Sequence, residues 1–273
     1  MTGLTVLKLG GELLEDRDAI RSAAGAIVRL AAREQVVVVH GGGRAIDAEL
    51  RRRGLEPRFV DGLRVTDDAA LDVVVSVLAG LANTRLVAAV GAAGGRAIGL
   101  TGADGVLGLC ERMVPGRSAG GAPIDLGLVG TPVASDSRLI SGLLSAGYVP
   151  VVCSIGVDRE GALLNVNADT LASHLAVALA ADALIVAGTT TGVLDGEGNR
   201  IDRLSVEAIA SMTASGAAHS GMIAKLAACR DAVFGGVGRV VVVNGRGAAD
   251  FGLAAGTRIL LGSLADTAAE MNA

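Results

Sequence analysis

The chain has 273 residues, of which 51% are hydrophobic, 19% charged and 40 are glycine, proportions that suit an α/β globule with a sizeable core and exclude collagen-like or disordered chains. Twenty-four basic against 28 acidic residues give a net charge of −4, which offers nucleic acid no electrostatic footprint. Three phenylalanines, one tyrosine and no tryptophan leave no base-stacking platform either.

Short β-branched runs alternate with alanine-rich stretches along the whole length, the pattern of an open, mostly parallel sheet sandwiched by helices. The spacing predicts a strand over 5–9, a helix over 16–33, a strand over 36–39 and a helix over 45–53. A hairpin-like piece over 58–65 leads into a long helix over 67–91. Next come a strand over 96–100, an irregular β segment over 106–133, a helix over 136–146 and a strand over 149–153. A second irregular segment over 155–166 precedes a helix over 168–180. A strand over 183–186, helices over 206–212 and 222–233, and strands over 240–243 and 258–261 complete the order. Asp, Asn or Ser stands ahead of several helices as a plausible cap. No repeat and no Pro- or Ser-rich linker divides the chain, so the expectation is one sheet with two lobes that change role near residue 181.

Residues 72–92 are apolar around most of a helical circumference, and a helix of that kind seeks cover on more than one side. One face serves the sheet, and the other predicts a homodimer. Mean hydropathy is +0.55, yet the apolar stretch 171–188 carries His174 and Asp182 and splits into a helix and a strand, so no membrane span is expected. Cys110, Cys153 and Cys229 lack a CxxC spacing and fit reduced, buried thiols, while His40, His174 and His219 are too scattered for a side-chain metal site. Met1 leads into a strand without a basic segment, so a cytoplasmic protein is expected.

Chemistry is concentrated in a few places. Lys8-Leu9-Gly10-Gly11 and His40-Gly41-Gly42-Gly43 each follow a strand and precede a helix. Ligands of open α/β sheets bind outside such strand ends, where glycines let backbone N–H groups and helix N-termini approach an anion. Neither segment is a dinucleotide fingerprint or a P-loop. Of the basic residues, 22 are Arg and only Lys8 and Lys225 are Lys, so generic cations here are Arg, and these two positions point to sites that need a compact, rotatable ammonium. Asp169 in Asn165-Val166-Asn167-Ala168-Asp169 fits either a helix cap or a functional carboxylate, and Arg64 in a loop fits either a solvated or an anion-binding role. Together, two lysines, two glycine-rich turns, a carboxylate and an Arg suggest phosphoryl transfer to an anionic acceptor, a reaction governed by positioning and charge neutralisation.

The segments 8–11, 40–43, FVDGLRVTD (59–67), DLGLVG (125–130), 165–169 and 221–225, in this order and spacing, resemble the amino acid kinase family over essentially the full chain. FVDGLRVTD and NVNAD favour the branch of that family whose acceptor is an acetylated glutamate. The resemblance implies ATP-dependent phosphorylation of the side-chain carboxylate of N-acetyl-L-glutamate to an acyl phosphate, in arginine biosynthesis. It implies that Lys8 and Lys225 stabilise the transferring phosphoryl, that Asp169 holds both ammonium groups, and that Gly10 and Gly11 offer N–H groups to phosphate. It further implies that Gly41 and Gly42 face the acceptor, that Arg64 and Asn165 grip its two ends, and that Thr189, Gly192, His219 and Gly221 lie on the nucleotide side. Magnesium would be held mainly by the nucleotide phosphates. Residues 1–180 would bind the acceptor and form the dimer, and 181–273 the nucleotide. The chain departs from the family pattern at Thr189, where an Asp is usual, at Ala103, where Lys is frequent, and in the loose match of Asn244-Gly245-Arg246-Gly247. Arginine-inhibited members carry an additional N-terminal helix, and with only Met1–Leu4 ahead of the first strand the resemblance implies arginine insensitivity. A kinase for another acylated amino acid or an aminoadipate-type acceptor, and a non-catalytic acetylglutamate or nucleotide sensor, stay open at this point.

Overall fold

The computed structural model describes residues 3–117, 121, 123–214 and 220–262. Eight strands form one sheet in the order Arg203–Ser205, Gly256–Leu260, Arg239–Asn244, Ala183–Gly188, Leu4–Leu9, Gln35–His40, Val149–Cys153 and Ala97–Thr101. Every neighbouring pair is parallel except Arg239–Asn244 with Gly256–Leu260. Strands drawn from the first 153 residues therefore lie on one side of the sheet, and those from residue 183 onward on the other.

The central strands are buried on both faces, as a parallel sheet covered by helices requires. Period-two alternation then sorts their side chains between two cores. Val6, Val37, Val39, Val152, Leu184 and Val186 face one core with Leu171, Leu175, Leu226 and Cys229 from the helices Ala168–Ala178 and Ser220–Phe234. Leu7, Leu9, Val36, Val38, Val151 and Ile185 face the other with Ile20, Ile27 and Leu30 of the helix Arg17–Ala31 and Leu86 and Val90 of Thr84–Ala92. Lys8 has the parity of Val6, so the pleat itself directs its ammonium toward the helices that carry Asp169 and Lys225.

The expected elements are present, with differences that have physical causes. Asp16, expected as the first residue of a helix, is its cap: its Oδ1 accepts the N–H groups of Asp18 and Ala19 at 2.9 and 2.7 Å, as orphan N–H groups at a helix start demand. The short strand Arg203–Ser205 escaped the sequence reading because three residues show no period. The two irregular segments close on each other: Ile155–Val157, Leu163–Val166, Val129–Ala134 and Leu109–Arg112 form a small four-stranded barrel. Glycine permits that closure. A Cβ at Gly130 would stand 2.9 Å from Leu164 Cβ and 3.0 Å from Cys110 Cβ, and one at Gly156 would collide with Cys110 Sγ.

The long helix runs from Asp68 to Ala92, with a π-helical stretch at Ser76–Asn83. Val74, Leu78, Ala82, Leu86 and Val90 are buried at a spacing of four, which over-rotates an α-helix by about 40° per step. Wider π turns recover part of that rotation and keep the stripe on the fold. By length and composition this helix passes as a membrane span, but its stripe contributes to two core clusters and Asp72 and Arg85 interrupt it. Its outer face is not uniformly apolar: Ser76, Gly80, Leu81, Thr84, Arg85 and Ala88 are exposed.

All three cysteines are buried free thiols, and burial pushes Cys110 up to about 11 and Cys153 and Cys229 up to about 12. Because the barrel has no room at residue 156, Gly156→Ala is expected to lower stability by about 1–3 kcal/mol, the usual cost of overpacking. A urea titration should show a lower midpoint with an unchanged slope.

Candidate active site

The glycine-rich turns, the lysines and the acceptor-side polar groups converge at the C-terminal ends of the central strands, where open α/β sheets present their ligand crevice. A cavity of about 210 Å³ is lined by Lys8, Gly11, Gly41–Gly43, Phe59, Arg64, Asn165 and Asp169 among others. The register explains the meeting: Lys8 pairs with Val39 on one side and Val186 on the other, so the turns after residues 9, 40 and 188 open side by side.

At the centre Lys8 Nζ lies 2.9 Å from Asp169 Oδ1, and the two side chains are 8% and 11% exposed. A cap role for Asp169 is excluded by its neighbour: Asn167 Oδ1 accepts the N–H groups of Asp169 at 2.8 Å and Thr170 at 3.1 Å. The Asp169 carboxylate is thereby left to pair with Lys8. Lys225 stands further off. A methyl group on Gly188 would lie 3.1 Å from Lys225 Nζ and 3.2 Å from Glu12 Oε1, which puts the second ammonium over the end of the strand next to Lys8. Burial, then repulsion from Lys8, holds the Lys225 pKa below the ordinary lysine value, with Asp169 and Glu12 partly offsetting both. Asp169 thus touches Lys8 directly and reaches Lys225 only through its longer-range field.

Gly10 corrects the sequence reading. Its N–H continues the strand ladder to the Ala187 carbonyl at 2.8 Å and is not free for a phosphate. What Gly10 supplies is space, since a Cβ there would stand 2.5 Å from both carboxylate oxygens of Glu12. Gly11 lines the cavity and sits so close to Gly42 that a Cβ would come within 2.8 Å of the Gly42 Cα.

Arg64 is held from two directions. Its Nη2 lies 2.6 Å from Asp47 Oδ1 and donates to the Gly43 carbonyl at 3.2 Å, while its Cζ stands 4.6 Å from the centre of the Phe59 ring, within cation–π range. Arg64 Nη1 is buried with no hydrogen-bond partner among the described residues. A buried guanidinium with one idle donor, in a cavity, is prepared for an anionic oxygen. Asn165 donates from Nδ2 to Thr66 Oγ1 at 3.0 Å. Thr66 in turn joins the two expected motifs, with its N–H donating to Leu126 O and its carbonyl accepting from Leu128 N–H. Gly127, at φ +74°, lets the backbones approach this closely.

Of the residues expected on the nucleotide side, Thr189 and Gly221 are exposed and Gly192 is buried. Gly192 has φ +138° and faces Thr257 and Arg200. A separate recess of about 410 Å³ is lined by Thr191, Arg200, Asn244, Arg246 and Asp250, among others. It holds Thr191 rather than Thr189, and no residue of the acceptor-side cavity. His219 lies outside the described residues. Among the described residues no group of three or more His, Cys, Asp or Glu is placed to hold a metal ion. Glu12, Asp47, Phe59, Thr66 and His40 escaped the sequence reading as site residues; Glu12 and Asp47 lie one and four residues beyond the glycine turns, the one positional signal that could have found those two.

Residues 3–244 match the family model described as "Amino acid kinase family". The chain is 40% identical over 247 residues to an acetylglutamate kinase of Dinoroseobacter shibae, covering 89% of this chain and 82% of that protein. It is 42% identical over 240 residues to an acetylglutamate kinase of Koribacter versatilis, covering 87% and 89%. Among solved structures, smu.665 from Streptococcus mutans UA159 superposes with a TM-score of 0.81 at 27% identity, covering 96% of this chain and 100% of that one. A family model that spans residues 3–244 and relatives at 40% and 42% identity over most of both chains show that the chain belongs to the amino acid kinase family.

Proposed function

We propose that the chain is an ATP-dependent kinase that phosphorylates the side-chain carboxylate of N-acetyl-L-glutamate, giving an acyl phosphate and ADP in arginine biosynthesis. One observation carries the reading: a buried Lys8–Asp169 pair sits in the same cavity as a buried Arg64 with an idle donor. That is the charge arrangement for bringing a dicarboxylate's reacting end to a phosphoryl group. An acceptor oxygen attacks the γ-phosphorus, the bond to the bridging oxygen breaks with its electron pair going to ADP, and no proton need move.

In this reading Lys8 and Lys225 are catalytic residues that neutralise charge on the transferring phosphoryl and its leaving oxygens, and Asp169 fixes the Lys8 ammonium. Gly41 and Gly42 face the reacting carboxylate, and Arg64 and Asn165 hold the far carboxylate and the acetamido group. The nucleotide brings its magnesium, held by its own phosphates. This accords with a site whose carboxylates are already engaged by, or face, ammonium groups. Residues 1–180 carry the acceptor pocket and 181–273 the nucleotide, with Gly11, Thr189, Gly192, His219 and Gly221 on that side. The enzyme is cytoplasmic. The exposed face of the helix Asp68–Ala92, next to the open sheet edge at Ala97–Thr101, forms the two-fold contact of a homodimer.

Hydroxylamine trapping of acyl phosphate, with magnesium and ATP across a panel of acylated and free amino acids, should give N-acetyl-L-glutamate as the preferred acceptor. Equal reaction of free glutamate or aspartate would refute the acceptor, and tight acetylglutamate binding without turnover would favour the sensor. Lys8→Arg and Lys225→Arg should each lower turnover on the order of 10²-fold or more, the scale for one preorganised transition-state donor, with folding retained.

A lysine whose pKa is lowered loses its charge at lower pH than a free one. The kcat/KM for nucleotide, which reports the free enzyme, should therefore fall on the alkaline side with a midpoint below the ordinary lysine value of 10.5. Lys225→Arg should remove that limb from what activity remains. For the assembly, light scattering should give about twice the 27.1 kDa chain mass, and Leu81→Arg should return a monomer; a monomeric native chain would refute the contact.

A further inference from the structure

His40 is fully buried and forms two hydrogen bonds. Its Nδ1 lies 3.0 Å from the Gly41 carbonyl oxygen, and its Nε2 lies 3.2 Å from Asn83 Nδ2. Asn83 is 4% exposed, ends the π-helical stretch of the long helix, and places the same Nδ2 2.9 Å from the Val151 carbonyl and 3.3 Å from that of Leu100. Two carbonyl neighbours fix this atom as the amide nitrogen, a donor. The Gly41 carbonyl can only accept and the Asn83 amide nitrogen cannot, so a neutral His40 carries its one proton on Nδ1, donates it to Gly41 O and turns the bare Nε2 to the Asn83 amide. Burial agrees: it pushes His40 down to about 4, so the ring is neutral at working pH.

The Gly41–Gly42 peptide is trans, so its carbonyl and N–H point in opposite directions. A carbonyl anchored on His40 turns the Gly42 N–H away from the imidazole, and both glycines line the cavity. The π stretch also meets the turn directly, since a Cβ on Gly42 would stand 2.8 Å from Leu78 Cδ2. On the far side Asn83 Oδ1 rests against Gly99, where any Cβ would collide with it.

We propose that Asn83 and His40 are positioning residues: the π-helical stretch, acting through Asn83, fixes the His40 tautomer, and His40 orients the Gly41–Gly42 peptide toward the acceptor carboxylate. This rests on the acceptor assignment proposed above. The relay makes the long helix part of the acceptor site although no atom of Asn83 lines it.

A structural role alone would weaken both substrates together. The relay predicts a split: Asn83→Ala should raise the acceptor KM about tenfold or more while the nucleotide KM stays within about twofold. His40→Leu, which removes the donor, should do the same, and His40→Asn, which keeps an amide N–H near the Nδ1 position, should recover most of that loss. Nitrogen NMR of the native imidazole, assigned by its disappearance in His40→Asn, should show the Nδ1–H tautomer. An Nε2–H ring, a rise in both KM values together, or unchanged acceptor KM in Asn83→Ala and His40→Leu would overturn the relay. If the native chain fails to use or bind acetylglutamate, the functional reading fails instead, and the tautomer measurement still judges the relay.

Discussion

The site depends on one ion pair. Lys8 and Asp169 are nearly excluded from water, and burying either charge alone would cost several kcal/mol. The pleat turns Lys8 inward from the strand Leu4–Leu9, and the cap by Asn167 frees the carboxylate that meets it. Neither element can shift without parting the charges. The central strand, the start of the helix Ala168–Ala178 and the hairpin that delivers Asn165 are thus fixed relative to one another before any substrate arrives.

Around this pair the molecule keeps its charges incompletely balanced. Lys225 is half-buried with Lys8 as a like-charged neighbour, and its lowered pKa means that its protonated form costs stability below that pKa, a cost that eases as pH rises from there toward the ordinary lysine value. On the proposed function, a polyanionic nucleotide removes the repulsion. The same holds at Arg64, whose Nη2 is satisfied by Asp47 while Nη1 has no partner among the described residues. Both cations are held ready at the expense of the empty state, which is how electrostatic preorganisation is stored in a fold.

Much of this was legible in the sequence. Strong strand runs, long amphipathic helices and the turns after residues 9 and 40 declare themselves by period and by glycine, and the rarity of lysine singled out Lys8 and Lys225. The barrel was not legible, because its closure is a matter of which short strands meet, and strands of three to six residues carry no partner information. Gly10 misled for a related reason: a glycine's spacing announces open space but not whether its N–H is already taken by a neighbouring strand. The π stretch left only a faint trace, the four-residue spacing of Val74, Leu78, Ala82, Leu86 and Val90. Asn83 and Asp47 carried no signal in the sequence, because what marks them is a set of contacts that only the fold makes.

The position of the first strand also bears on how the molecule is made. Leu4–Leu9 lies in the middle of the sheet, with Gln35–His40 on one side and Ala183–Gly188 on the other. During synthesis the first neighbour emerges about thirty residues later, while the second requires some 180 residues to have left the ribosome, a span that ordinary elongation takes on the order of ten seconds or more to cover. For that interval one side of the strand VLKL would be an unpaired apolar edge, the kind of edge that recruits other chains. Lys8, the fifth of the six residues Leu4–Leu9, is then the single charge on the waiting strand.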